Sequence, residues 1–371
     1  MKATAAVCYA ANQPLAIEEV EVIPPRRGEV LIRMEAAGVC HSDLHVMKGD
    51  QPLEMPIILG HEGAGIVAET GPGVDSVKPG DSVVPIWRMS CGRCAYCLGG
   101  RPALCDVGTK IRFTGLMPDG ETRFRSSRGD SIRHYAGVST FSQFSTMPEE
   151  AVVRIDSNVS LRDAALVSCG VITGYGAVFR AAEVTPGSTV AVFGAGGIGL
   201  NVIQSARLAG ATTIIAVDWF ATKRPHAERM GATHFLDSRE DDPVSGILDL
   251  TGGLGVDFAF EAVGLPTPIE QAYDATKKGG TCVVVGIARP DARAAINVNA
   301  LVYAEKTLKG SIYGSTRPRI DLPLLIGLAR EGKIELEPLL TRTWKLAEIN
   351  QAYAALERGE VARSLILPQE V

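Results

Sequence analysis

Hydrophobic positions fall into two textures along the chain. Up to about residue 155, short segments such as Glu29–Glu35, Gly65–Glu69 and Asp81–Pro85 are punctuated by glycine and proline, which predicts a compact, mostly β unit. From about Leu161 the apolar runs become nearly continuous: Thr189–Phe193, Thr213–Val217, Phe258–Glu261 and Thr281–Val285. Helical patterns, Ile198–Leu208 and Lys223–Met230, lie between them. A strand buried on both faces has no polar side to present, so these runs predict a parallel sheet covered by helices. After Ser311 the pattern predicts a helix over Asp321–Arg330, a second over Leu346–Glu357 and a last strand, Ser364–Leu367. Residues Thr109–Phe144 read as a long polar loop rich in turn residues, of the kind that is more often functional than idle.

A length of 371 residues suggests two or three domains. With 37 Lys and Arg against 42 Asp and Glu, the net charge of −5 argues against a nucleic-acid or anionic-membrane binder, since both demand a positive surface. No apolar run reaches the ~18 residues of a membrane span. Asn12, Gln13, Pro14 and Glu18 interrupt any signal-peptide core at the start, so the expectation is a cytoplasmic protein with reduced thiols. Four of the eight cysteines lie within fifteen residues, which suggests metal rather than disulfides. Cys8 and Cys282, in apolar runs, read as inert core thiols. His226 and His234 read as surface or helix-capping residues, and His134 as exposed to solvent or at an interface.

Thr189–Phe193 runs straight into Gly194-Ala195-Gly196-Gly197-Ile198-Gly199 and a helical segment. This is G-x-G-x-x-G with a strand before it and a helix after it. Gly194 permits the tight turn, Gly196 admits a pyrophosphate against the backbone, and Gly199 lets helix and strand pack closely. The next strand ends at Asp218, 19 residues after Gly199. A carboxylate there accepts from the adenosine ribose hydroxyls and repels a 2′-phosphate, so NAD is expected over NADP. Lys223 is a candidate neighbour of that ribose. Val285 and Ile287, closing a strand at the cofactor side, are candidates for backbone contact with the nicotinamide amide.

Cys91, Cys94, Cys97 and Cys105 form C-x2-C-x2-C-x7-C, a set of thiolates suited to a closed tetrahedral zinc site. An iron–sulfur cluster is the rival at this spacing. Cys40, His61 and Cys169 are scattered, and spacing alone does not join them.

The segments Gly38-Val39-Cys40-His41-Ser42-Asp43, Gly60-His61-Glu62 and Ser168-Cys169-Gly170, with the four-cysteine stretch and GAGGIG, resemble the zinc-dependent medium-chain alcohol dehydrogenase family along nearly the whole chain. The resemblance implies an α/β protein: a mostly-β GroES-like catalytic domain with a structural zinc lobe, plus a doubly wound parallel-sheet (Rossmann) coenzyme domain. The implied boundaries are 1–170 and 312–371 for the catalytic part and 171–311 for the NAD-binding part. It also implies two zinc ions per subunit, one structural and one catalytic, the latter held by Cys40, His61 and Cys169; Cys2His is a ligand set known from alcohol dehydrogenase. Asp43 matches a carboxylate that orients His61, and Glu62 an acidic residue behind the metal. Ser42 and His45 match a proton relay, and His41 and Arg363 match pyrophosphate contacts. Thr173 and Ile198 match residues pressing on the nicotinamide, and Trp87 an aromatic wall of the substrate pocket.

The chemistry expected is hydride transfer from a zinc-bound alcohol to NAD, with imidazole, the side chain that titrates near neutrality, carrying the proton out. Trp87 in a largely apolar pocket favours medium-chain or aromatic alcohols. GLMPDGETRF and GVSTFSQF are similar to the longer-subunit branch, which includes plant and animal alcohol dehydrogenases and thiol-dependent formaldehyde dehydrogenases, and this implies a homodimer, with a homotetramer as the alternative. The chain departs from the thiol-dependent enzymes at Thr109, where they carry arginine, and at His45, where they usually carry tyrosine; Arg112 is a candidate substitute for the missing cation. A glutathione- or mycothiol-dependent formaldehyde dehydrogenase is the alternative. A redox-sensing protein that binds NAD without catalysis is the alternative from another class.

Overall fold

Three sheets organise the described residues, 1–360 and 363–370, of the computed structural model. The chain divides into two units: Met1–Cys169 with Arg317–Gly327 and Leu336–Val371, and Gly170–Thr316 with Leu328–Glu335.

The first unit holds two of the sheets. Strands Lys2–Cys8, Ala16–Val22, Phe124–Arg125, Ser131–His134 and Ile57–Ile58 close into a small barrel. In the other sheet, Glu29–Gly38 is the hub, antiparallel to Gly63–Thr70, to Phe144–Pro148 and to Arg363–Leu367. Its far end pairs Ala37 with Gly63 on one side and with Ile366 on the other. One strand end therefore gathers three segments remote in sequence: Cys40 just after it, His61 and Glu62 just before its partner, and Arg363 at the start of the third.

The insertion is not the loop its polarity suggests. Asp106–Thr114 is a helix, and two of the barrel strands, Phe124–Arg125 and Ser131–His134, come from this stretch. Its polarity serves a buried ionic network. Arg123, fully buried, donates from Nε and Nη2 to the two Glu29 carboxylate oxygens at 2.8 and 2.6 Å, and from Nη2 to Asp119 at 2.5 Å. Arg26 bonds Asp119 at 2.9 Å and Glu121 at 2.8 Å. His134 is fully buried rather than exposed, and its Nε2 accepts the Arg123 backbone N–H at 2.9 Å. Burial, with Arg123 nearby, pushes His134 down to about 3, so it stays the neutral acceptor this bond requires.

The second unit carries the six-stranded sheet in the order His234–Asp237, Thr213–Asp218, Thr189–Phe193, Val256–Glu261, Thr276–Val284 and Thr307–Gly310, with every pair parallel. Its runs are continuous because Val190, Ala191, Val192, Ile215, Ala216, Ala259, Phe260, Cys282 and Val283 are all fully buried. Cys8 and Cys282 are core thiols, pushed by burial up to about 11 and about 12 respectively.

The helical stretch Leu161–Ala182 is long and apolar enough to cross a membrane by length and composition, although serine, threonine and glycine break up its apolar run in the sequence. It is instead a core helix, with 89% of its most apolar window buried. Its regular winding opens into a π-turn at Val167–Val171, an irregularity frequent at functional sites, and Cys169 lies within it.

Arg123→Met is expected to lower the stability of the protein by about 3–5 kcal/mol, because it strands Glu29 in the interior. The double variant Arg123→Met/Glu29→Leu is expected to recover much of that loss, as read by urea unfolding.

Candidate active site

Cys40 caps the N-terminus of the short helix His41–Met47, which projects Asp43 inward and leaves Ser42 and His45 half-buried, three positions apart on one side. The segment after Ile57–Ile58 turns at Gly60, with φ +87°, and delivers His61 and Glu62. Gly38 has to be glycine here, since a Cβ would fall on the Glu62 carboxylate.

Cys40, His61, Glu62 and Cys169 are all buried, with donor atoms within 4.8 Å of one another. His61 Nδ1 faces both Asp43 oxygens, at 3.1 and 3.0 Å, and Asp43 Oδ1 also accepts the Gly60 N–H at 2.9 Å. This anchoring turns Nε2 toward the thiols, where it is buried and has no hydrogen-bond partner among the described residues. Glu62 Oε1 lies 3.8 Å from that nitrogen, and its other oxygen pairs with the Arg363 guanidinium.

The charges are tightly linked. The Cys169 thiol donates to Cys40, which holds Cys40 well below the usual thiol range and Cys169 well above it. Burial pushes His61 down, but Asp43 and Cys40 together outweigh it and bring it up to about 10. Burial raises Glu62 to about 7 against the opposing pull of Arg363. Two thiols, an imidazole nitrogen that lacks an acceptor and a nearby carboxylate form the N/S donor set that zinc takes, and binding a cation there displaces the shared protons.

The second cysteine group converges in the same way. The sulfurs of Cys91, Cys94, Cys97 and Cys105 lie within 4.8 Å of one another, and the Cys91 N–H donates to Cys105 Sγ at 3.3 Å. Backbone N–H groups of Cys97 and Asp106 bring Cys94 down to about 6, while burial and Cys94 push Cys97 up to about 12. All eight cysteines of the chain are free thiols.

Around the first cluster, Trp87 and Tyr135 meet the His61 ring edge-on, at centroid distances of 5.8 and 5.6 Å. The Tyr135 hydroxyl donates to the Ser42 carbonyl at 3.1 Å. His45 Nδ1 lies 3.2 Å from Asp50 Oδ2, a partner that only the turn after the helix reveals. Arg363, matched in the sequence to a pyrophosphate contact, is buried and pairs with Glu62, feeling Cys40 and Cys169. His41 is exposed on the first helical turn. Trp87 is not walled by apolar groups alone, since Arg88 and Arg112 lie 5.9 and 5.6 Å from its ring. Asp50 and Tyr135 escape a reading of the sequence because no motif marks them.

In the second unit the glycines do three different things. Gly194 adopts φ +96°; Gly196 has nothing within 4 Å of where a Cβ would sit, leaving open space over the backbone; and a Cβ on Gly199 would strike the Gly194 carbonyl. The result is an open stretch of backbone at the start of helix Gly197–Leu208, with the geometry that admits a pyrophosphate. Asp218 accepts from the Ala195 N–H at 2.7 Å and the Phe220 N–H at 2.9 Å, and Lys223 Nζ lies 3.0 Å from it. Ile198 is half-buried in the first turn of that helix, and Thr173 is buried in helix Ile172–Gly176. Val285 N–H donates to the Glu261 carbonyl at 2.8 Å, and the half-buried Ile287 follows two residues later.

Residues 26–157 match the alcohol dehydrogenase GroES-like domain, and residues 197–330 the zinc-binding dehydrogenase family. The chain is 41% identical over 369 residues to S-(hydroxymethyl)glutathione dehydrogenase of Escherichia coli O1:K1 / APEC, covering 99% of this chain and all of that one. Among solved structures, an alcohol dehydrogenase zinc-binding domain protein from Burkholderia ambifaria is 37% identical with a TM-score of 0.95. Benzyl alcohol dehydrogenase from Acinetobacter calcoaceticus is 32% identical with a TM-score of 0.93. Each of these two alignments covers 99% of both chains.

The two donor sets predict two zinc ions per subunit by elemental analysis, falling to one in Cys169→Ser and to one, with lower thermal stability, in Cys97→Ser. Asp43→Ala is expected to weaken zinc at the first site by about 10–100-fold in a chelator competition, because His61 loses its orienting partner.

Proposed function

The chain belongs to the zinc-dependent medium-chain alcohol dehydrogenase family, an enzyme family using zinc and a nicotinamide cofactor, and from that premise we propose that it oxidises small-molecule alcohols to aldehydes or ketones with NAD, acting as a homodimer. Residues 1–170 and 312–371 form the catalytic part in this reading, and 171–311 the coenzyme part. The observation that carries it is the meeting of Cys40, His61 and Cys169 around an imidazole nitrogen that has no other partner among the described residues.

Cys40, His61 and Cys169 would hold zinc, which would supply the Lewis acid that makes an alcohol hydroxyl acidic near neutral pH. Gly194, Gly196, Gly197 and Gly199 would hold NAD, which would supply the two-electron acceptor for the oxidation. The rest is the work of the chain itself. Asp43 fixes the His61 ring. Ser42 and His45, one helical turn apart, conduct the alcohol proton outward, and Asp50 takes the Nδ1–H so that His45 Nε2 is the accepting nitrogen. Glu62 and Arg363 offset each other's charge beside the thiols and the His61 ring. Asp218 supports NAD over NADP, since a buried carboxylate at that strand end repels a 2′-phosphate.

A second reading, oxidation of a hydroxymethyl–thiol adduct, is favoured by the 41% identity to proteins named S-(hydroxymethyl)glutathione dehydrogenase. Thr109 and His45 stand against it.

A steady-state panel of primary, secondary and aromatic alcohols with NAD and NADP is expected to show NADH formation without added thiol. Formaldehyde oxidation strictly dependent on glutathione or mycothiol would transfer the assignment to the second reading. His45→Gln is expected to lower kcat by about 10–100-fold at neutral pH, with partial rescue by an external amine base; an unchanged pH–rate profile would remove His45 from the relay.

A further inference from the structure

A carboxylate lies buried at the carboxyl end of the parallel sheet, and the reaction described above does not use it. Glu261 ends the strand Val256–Glu261 and is fully buried. Its Oε1 accepts the Val263 N–H at 2.7 Å and the Gly264 N–H at 2.6 Å. Its Oε2 is buried with no hydrogen-bond partner among the described residues, and a Cβ on Gly286 would sit 2.7 Å from it. The Glu261 carbonyl takes the Val285 and Gly286 amides at 2.8 and 3.0 Å, so the next strand end is tied to the same residue. Gly264, at φ +85°, packs its backbone against Ile287, and a Val263 methyl fills the space that a Cβ on Gly194 would need.

This carboxylate is charged. Its two bonds at Oε1 are as short as charge-assisted ones, and no carbonyl or hydroxyl stands within reach of Oε2 to take a proton from it. Burial raises the carboxyl above its ordinary value, and the amides of Gly264, Val263, Leu265 and Gly286 draw it back. No Lys, Arg or His nitrogen lies within 4.0 Å of it among the described residues. A buried anion opposed by amide dipoles alone is unfavourable, and a cation brought near it is attracted. From Thr189–Phe193 the sheet runs outward one way through Thr213–Asp218 and His234–Asp237, then resumes on the other side with Val256–Glu261. A dinucleotide laid across that reversal, with its adenosine ribose at Asp218 and its pyrophosphate over Gly196, would bring its other nucleoside over the ends of Val256–Glu261 and Thr276–Val284. The oxidised nicotinamide ring carries a positive charge there, and the reduced ring carries none.

We propose that Glu261 is a specificity-determining residue for the redox state of the cofactor: its unopposed charge attracts the pyridinium ring, which favours uptake of oxidised NAD and eases release of NADH. The inference rests on the NAD-dependent reading above. Charge placed beside a cofactor ring is one of the means by which a protein tunes it. Asp218 meets the adenosine half, which is the same in both forms; Glu261 faces the half in which they differ.

Dissociation constants of oxidised NAD, NADH and ADP-ribose are measured by calorimetric titration of the zinc-loaded protein without alcohol, so the readout is independent of turnover. ADP-ribose has the adenosine and pyrophosphate but no ring, and reports whether the turn at Val263 and Gly264 keeps its shape. Glu261→Gln, isosteric but neutral, is expected to weaken oxidised NAD by about tenfold or more, while NADH and ADP-ribose each change by less than about threefold. Glu261→Asp keeps the charge, so any loss in it should fall on NAD and NADH alike and leave their ratio as in the wild type. Glu261→Ser, neutral and small enough to admit water to the freed amides, carries the same expectation as Glu261→Gln should that variant not fold. Equal losses of NAD and NADH in the neutral variants, or no loss, would overturn the proposal, as would a ratio in Glu261→Asp that moves as far as in Glu261→Gln. If the wild type takes NADP and NADPH instead, the NAD reading fails, and the ratio of those two ligands decides the role of Glu261 in the same way. If it binds none of them, both readings fall.

Discussion

Concentrating ionisable donors where water cannot reach them is the constraint around which the catalytic unit is built. Cys40, His61, Glu62 and Cys169 meet in the interior, with Asp43 and Arg363 packed against them. Desolvation alone is unfavourable for such a set, since a buried charge is tolerated only when opposed or coordinated. Each neighbour meets part of that requirement: Asp43 steadies one face of His61, Arg363 opposes Glu62, and the two thiols share a proton. What protein groups leave unmet is the inner face of the imidazole, and a divalent cation supplies it. Metal affinity and local structure are therefore one free-energy problem here.

Backbone geometry makes that concentration possible. The hub strand Glu29–Gly38 binds neighbours from three distant parts of the chain, and its terminal glycine lets the Glu62 carboxylate sit against the main chain. Cys169 joins the cluster from a π-turn at Val167–Val171. The stretch between the cysteine lobe and Phe144 then completes the barrel, held to the hub by the fully buried Arg123–Glu29 pair. Polar residues in that stretch are thus interior groups with partners rather than a solvated surface.

The coenzyme unit follows a simpler logic. Its strands bury both faces, so they need continuous apolar runs, and its functional turn needs glycine at three positions for three steric reasons. Asp218 has a role beyond charge: by taking the Ala195 and Phe220 amides it ties the glycine turn to the neighbouring strand end. Substitution there disturbs the shape of the loop.

Much of this was written in the order of residues. Continuous against interrupted apolar runs distinguished the parallel sheet from the β unit, because side-chain period reflects which faces are buried. The glycine turn and the close cysteine cluster were legible because their chemistry is local, with all participants within a few residues. The remaining features came only from the folded chain. Cys40, His61 and Cys169 are single letters in ordinary surroundings, joined in the sequence by family resemblance and in space by strand pairing. Arg112 over Trp87 and Tyr135, Asp50 beside His45, and the burial of His134 follow from contacts between segments whose one-dimensional patterns carry no trace of each other. Periodicity encodes burial along a single element; which elements meet, and hence which charges lack a partner, is set by the packing of the whole.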